Sequence, residues 1–163
     1  MTGIFTRELR VQYGTLLEDE FLQKLSDLMQ TPLKKAESEY SPLDFYGDSC
    51  WVELKVRTKD FRPHDDCMSD GWIVSAAKFL AAAEKVDEGH AVFFFYYWAA
   101  DESLWVYRFN PKVMNKFTLK VPKNHHDKQL HYYVPLKRWR CCGKVKIEST
   151  SLDKPRQCLI TDD

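Results

Sequence analysis

Hydrophobic and polar positions alternate most regularly in residues 41–58, SPLDFYGDSCWVELKVRT. The stretch predicts a β-hairpin, with an apolar run, a two-residue turn at Gly47-Asp48 and an alternating second strand. That turn sets Tyr46 across from Ser49, Phe45 across from Cys50 and Asp44 across from Trp51. Side chains alternate faces along a strand, so Phe45, Cys50, Val52, Leu54 and Val56 share one apolar side. Asp44, Trp51, Glu53, Lys55 and Arg57 share the other. Such a face serves either as a solvated surface or as the site of a metal-dependent phosphodiesterase. A slip of one residue would separate Asp44 from Glu53 and Lys55.

A period near 3.6 marks residues 16–30 as a helix with Leu17, Phe21, Leu22, Leu25, Leu28 and Met29 on one stripe. At 100° per residue Glu18 falls within about 20° of Leu25 and Met29, inside that stripe. A carboxylate there needs a basic partner or a metal, unless the helix end is solvated and the dipole of the first turn suffices. Pro32 closes the helix, and residues 31–40 read as a loop or short irregular strand. Residues 72–74 read as a short strand or a helix start, and Ser75 as the N-cap of the helix-forming run AAKFLAAAEK. That cap puts Lys78 in the first turn. The run AVFFFYYW at 91–98 predicts a buried central strand, with LWVYRF at 104–109 beside it. Further strands are predicted within 117–121, 131–136 and 140–147, and the polar tail 149–163 is expected to fray.

Composition narrows the picture. A chain of 163 residues, 44% hydrophobic and 14% aromatic, suits one globular domain. No apolar run approaches the roughly 18 residues of a membrane helix, and residues 1–10 lack the apolar core of a secretion signal. Five scattered cysteines point to reduced thiols, so the expectation is an intracellular protein of cytoplasm or nucleus, not a secreted one. The formal net charge is zero, yet residues 112–146 hold ten Lys and Arg against the single acid Asp127. A segregated basic stretch carrying Phe117, Tyr132, Tyr133 and Trp139 is the footprint of nucleic-acid binding with aromatics available to stack, or else a basic edge or a dock for an acidic protein.

Other clusters carry weaker signals. His64, Asp65, Asp66 and Cys67 sit together in an acidic loop without a second cluster nearby, as solvated loop residues do. Asn124, His125 and His126 are similar to the histidine-centred nucleases but lack the expected helix with its own ligand. Cys141-Cys142 does not have zinc-knuckle spacing.

Taken in order, the helix with Glu18, the hairpin with Asp44, Glu53-Leu54-Lys55, a second helix and two apolar strands resemble the PD-(D/E)xK nuclease superfamily. Pro42-Leu43-Asp44 matches the first half of its motif with one residue inserted, and Glu53-Leu54-Lys55 matches the second. The likeness covers residues 14–111, and 112–163 falls outside it as a basic C-terminal extension. It implies an α/β (α+β) fold with a central mixed sheet flanked by helices, in the αβββαβ order of restriction-endonuclease-like and Holliday-junction-resolvase-like proteins. It also implies a nuclease hydrolysing phosphodiester bonds in DNA with Mg²⁺ or Mn²⁺. Glu18, Asp44 and Glu53 would be the metal ligands and Lys55 would orient the attacking water; hard oxygen donors suit such ions. Arg57 and Lys78 are further phosphate contacts, Trp51 either stacks on a base or packs under the helix, and Lys137, Arg138 and Arg140 belong to the basic segment that would hold the backbone. Nucleases of this size often pair to cut two strands, which allows a homodimer, although no dimerisation signature is visible. The alternative is an inactive module on the same scaffold that binds nucleic acid or protein, as in a viral or mobile-element assembly.

Overall fold

A computed structural model describes residues 7–38, 41–58, 71–122 and 128–148. The fold is α+β. In chain order it runs α1 (Arg7–Met29), β1 (Lys34–Lys35), β2 (Phe45–Tyr46), β3 (Cys50–Arg57), β4 (Trp72–Ser75) and α2 (Ala76–Asp87). It continues with β5 (Ala91–Trp98), β6 (Ser103–Arg108), β7 (Thr118–Lys120), β8 (His131–Val134) and β9 (Arg140–Lys144). The described chain forms two compact units, one within Met1–Leu33 and Val145–Asp163, the other Lys34–Lys144.

In the first unit, α1 begins nine residues before the expected start. Gly14 lies inside the helix, where it costs about 1 kcal/mol and is tolerated. The helix ends as foreseen before Pro32, in a Schellman turn. Thr31 N–H reaches Ser26 O at 3.1 Å, Gln30 N–H reaches Asp27 O at 3.2 Å, and Gln30 takes the left-handed position at φ 53°. Phe21 and Leu25 are fully buried, but Glu18 is exposed, against the expectation that it points inward. Its azimuth matches that of Leu25, yet it sits about 10 Å further along the axis. Direction around a helix does not say what covers it at a given height.

The second unit holds a six-stranded sheet in the order β1-β2-β3-β5-β6-β9 and a three-stranded sheet in the order β4-β8-β7. Among the described strands only β3 and β5 run parallel, and α2 lies in the crossover between them. The hairpin register differs from the expected one: Phe45 pairs with Val52 and Tyr46 with Trp51, and Gly47 N–H reaches Cys50 O at 2.9 Å. Three residues, 47–49, therefore separate the two strands in place of the two-residue Gly47-Asp48 turn. Neither Gly47 nor Asp48 has a positive φ, and the two-residue hairpin turns require one. The slip is two residues, so every side chain keeps its face.

Phe45, Cys50 and Val52 are buried on one side of β3, as expected. The other side is not a simple solvated face. Through the parallel register Glu53, Lys55 and Arg57 adjoin Phe94, Tyr96 and Trp98 of β5, and Phe94 and Tyr96 adjoin Tyr107 and Trp105 of β6. This aromatic layer is the floor of the larger core, on which Phe79 of α2 and Trp72 of β4 sit. Phe79 lies 4.9 Å from Phe109 and 5.3 Å from Phe94, and Trp72 lies 5.2 Å from Tyr96 and 5.0 Å from Trp98. Of the segment read as an extension, the part up to Lys144 completes this unit. Its β9 pairs with β6, its β8 pairs with β4, and β7 flanks β8.

Candidate active site

Ser75 ends β4 in an extended conformation and caps α2, its Oγ accepting from Lys78 N–H at 3.3 Å. No acid occupies the first turn, so Lys78 adds a positive charge at the helix end that disfavours one. The offset comes from across the sheet. Lys78 Nζ lies 3.1 Å from Glu53 Oε2 and 3.3 Å from Oε1, and it also donates to Pro42 O. One ammonium thus joins the start of α2, the middle of β3 and the Pro42-Leu43-Asp44 segment. Leu43, the residue inserted within that segment, is almost wholly buried in the core.

Asp44 is held by the strand it faces. Its N–H donates to Val52 O at 3.0 Å, and its Oδ2 accepts from Leu54 N–H at 2.8 Å. That fixes the Asp44 carboxyl on the strand that carries Glu53, close enough for its charge to act on the Glu53 carboxyl. Burial beside the aromatic layer pushes the Glu53 carboxyl well above the usual range; the neighbouring Asp44 pushes the same way, while Lys78 opposes them. Two carboxylates side by side, one of them only 14% exposed, form a pair that a stronger cation would relieve. Among the described residues no group of three His, Cys, Asp or Glu converges as a metal cage. Two carboxylates are nevertheless the donor set expected for Mg²⁺, which keeps several waters and is bound through one or two carboxylates together with substrate phosphate. The residues present fit that ion.

Beside this pair opens a cavity of about 250 Å³ lined by Glu53, Lys55, Ser75, Lys78, Tyr96, Gln129, His131 and Trp139, among others. His131 is buried, and its Nδ1 donates to Gln129 O at 2.8 Å. Tyr96 Oη donates to Ile73 O at 3.3 Å, and Trp139 Nε1 to Val134 O at 3.2 Å. Gln129, His131, Tyr96 and Trp139 escape a reading of local pattern because three of them come from the distant basic segment. Trp139 was visible only as one of the aromatics of the basic segment; for Tyr96, a strand, helix, strand order implies parallel neighbours, and that pairing sets it beside Lys55.

Within the second unit, Arg57, Trp51, Lys137, Arg138 and Arg140 are not part of the cavity's lining. Glu18 belongs to the other unit and is exposed. Arg57 places its guanidinium 5.9 Å from the centre of the Trp98 ring. Trp51 takes the packing role, its ring 5.2 Å from that of Tyr46 with Lys85 Nζ 4.6 Å from its centre. Lys137 and Arg138 are exposed on a short 3-10 turn, and Arg140 is exposed on β9. The aromatics of the basic segment are largely consumed by the core. Phe117, Tyr133 and Trp139 are buried and Tyr132 stacks on Phe79 at 4.7 Å, so the expectation that they stand ready to stack on bases fails for these rings as an exposed set. The clusters at 64–67 and 124–126 lie outside the described residues. Cys141 is exposed and Cys142 half-buried on β9, both as free thiols.

No protein-family model and no curated protein matches this sequence.

Proposed function

We propose that the chain is a divalent-metal-dependent nuclease of PD-(D/E)xK type, hydrolysing phosphodiester bonds in DNA. The observation that carries the reading is Glu53 lining one cavity with Lys55 and Lys78, with the charge of Asp44 acting on it from the facing strand. The order α1, β1, β2, β3, α2, β5 supports it, being the αβββαβ order of that superfamily with β4 interposed.

In this mechanism Asp44 and Glu53 would hold Mg²⁺ or Mn²⁺, which would acidify water and neutralise charge developing on the phosphate. Asp44 is pre-oriented by the Leu54 amide, so little reorganisation accompanies loading. Lys55, two residues along the same face from Glu53, contacts the scissile phosphate and orients the attacking water. Lys78 favours the ionised form of Glu53, the form needed as a ligand.

The test incubates plasmid and linear DNA with the protein in Mg²⁺, Mn²⁺ or EDTA. Cleavage should require the metal and fall at least about a hundredfold in Lys55→Ala. Equal activity of wild type and Lys55→Ala defeats the assignment.

A second reading, a non-enzymatic module on the same scaffold, is favoured by the ammonium of Lys78. It already serves Glu53 as an internal cation. Calorimetric titration separates the two, since an inactive module takes up no divalent ion at Asp44 and Glu53, and Asp44→Asn then changes nothing.

A further inference from the structure

The three-stranded sheet ends in an open edge. Its strands run β4-β8-β7, and among the described residues β7 pairs with β8 alone, which leaves the outer row of main-chain N–H and C=O groups on β7 available to a further strand. Every residue of β7 is exposed. The register fixes what each face of this edge presents. Leu119 stands opposite Tyr132 and Lys120 opposite His131, so the same register sets Val121 opposite Leu130. Alternation puts Leu119, Val121 and Leu130 on one face, where they are 45%, 43% and 50% exposed. Thr118 and Lys120 occupy the other, with the Lys120 ammonium 4.8 Å from the centre of the Tyr133 ring. Lys116, just before β7, is also exposed, and residues 112–146 contain a single acid.

This combination selects among occupants. A strand laid beside β7 completes main-chain hydrogen bonds and alternates its own side chains between the same two faces. On one face it meets Leu119 and Val121, on the other Lys120. Apolar residues at every second position, with acids between them, complement both. Two copies of β7 side by side would instead crowd lysines on one face, and like charges across a strand pair are destabilising. Single-stranded nucleic acid is held by ring faces, whereas this face carries aliphatic side chains.

We propose, independently of the nuclease reading, that β7 is a docking edge for an extended acidic segment of another protein, which alternates apolar and acidic residues and adds to the small sheet as a fourth strand.

The experiment uses the full chain and short labelled peptides. Anisotropy should show alternating Val-Glu bound at least about tenfold more tightly than alternating Ser-Glu or Val-Lys, and less tightly as salt rises. Methylating the backbone nitrogens of one alternate set in the Val-Glu peptide should abolish binding while methylating the other set leaves it, because only one edge of an added strand pairs. Leu119→Ser should weaken Val-Glu about tenfold. Lys120→Glu should weaken Val-Glu and strengthen Val-Lys, a reversal that loss of folding cannot produce. Equal binding of the three peptides, or Val-Glu binding that Lys120→Glu leaves unchanged, overturns the proposal. A dimer of the chain alone that Leu119→Ser dissociates in sedimentation assigns the edge to a second copy and overturns it too. So does binding to phosphatidylserine vesicles that Leu119→Ser abolishes, if Val-Glu does not bind.

Discussion

Replacing Lys78 by Met keeps the aliphatic stem and removes the ammonium that joins α2 to β3. At 3.1 Å and an effective dielectric near 20, the attraction to Glu53 is about 5 kcal/mol gross. Desolvation of both groups cancels much of it. With the Lys78 side chain 30% exposed and that of Glu53 14%, the pair lies between a surface ion pair, worth about 0–1 kcal/mol, and a buried one, whose breakage costs about 3–5 kcal/mol. The expected loss is about 2 kcal/mol at pH 8, or roughly 1 M in urea midpoint for a protein of this size. The sign with pH follows from Glu53. Its folded-state pKa lies above the unfolded one and Lys78 holds it down, so removal of Lys78 raises it further. The deficit is therefore largest where Glu53 is ionised in the wild type and shrinks as pH falls and the carboxyl takes up a proton. Near pH 4 only relief at the helix N-terminus remains, worth a few tenths of a kcal/mol in favour of Met. Urea titrations followed by tryptophan fluorescence at several pH values measure this directly. If Asp44 and Glu53 bind Mg²⁺, the ion added at 100 times its Kd should stabilise the variant by about 2.7 kcal/mol. A deficit under about 0.5 kcal/mol that is the same at pH 5 and pH 8 would refute the reasoning.

Glu53→Gln should stabilise the protein at neutral pH relative to acid. The wild-type carboxyl, raised by burial and by Asp44, costs stability as pH rises from its unfolded value near 4.3 through its folded value, and the amide removes that slope. Matching denaturation curves for the two proteins at every pH would contradict this. Gly71→Ala should cost more than about 3 kcal/mol, since φ is +111° and the new Cβ would lie 2.0 Å from Val134 O, a backbone atom of β8 that cannot swing away. Expression of soluble variant with an unchanged melting temperature would show that Gly71 does not hold β4 against β8. Ser75→Ala should cost about 1 kcal/mol by stripping the cap from Lys78 N–H, and hydrogen exchange should rise in the first turn of α2 before it rises in the core.

The helices and most strands were legible in local pattern, and so was the Ser75 cap, because each is set by neighbours within a few residues. The hairpin turn was not. Gly-Asp was read as a two-residue turn, but the tightest turns demand a positive φ that this pair does not adopt. The site residues survived the error because the slip was even. Glu18 failed differently, since a helical wheel collapses the axis along which burial changes. The aromatics at 117–139 looked like a stacking platform beside basic residues, and composition cannot tell an exposed ring from one that closes a core. Arg138 lies 5.8 Å from the Phe117 ring and Lys120 4.8 Å from that of Tyr133, so cations and rings are paired within the protein itself.

By itself the sequence determined that Asp44, Glu53, Lys55 and Arg57 share one face of a hairpin, since alternation along a strand needs no information from elsewhere. It also determined that Ser75 would start a helix with Lys78 in its first turn. Only tertiary structure decided that this polar face continues, through the parallel register with β5, into the aromatic floor of the main core. It likewise decided that the Lys78 ammonium reaches Glu53 across 25 residues of chain, and that His131 and Trp139 come back to wall a cavity beside it. The physical reason is range. Strand alternation and helix capping are fixed by covalent geometry over a few residues, whereas burial, and with it the raised pKa of Glu53, depends on what distant segments bring to the same place.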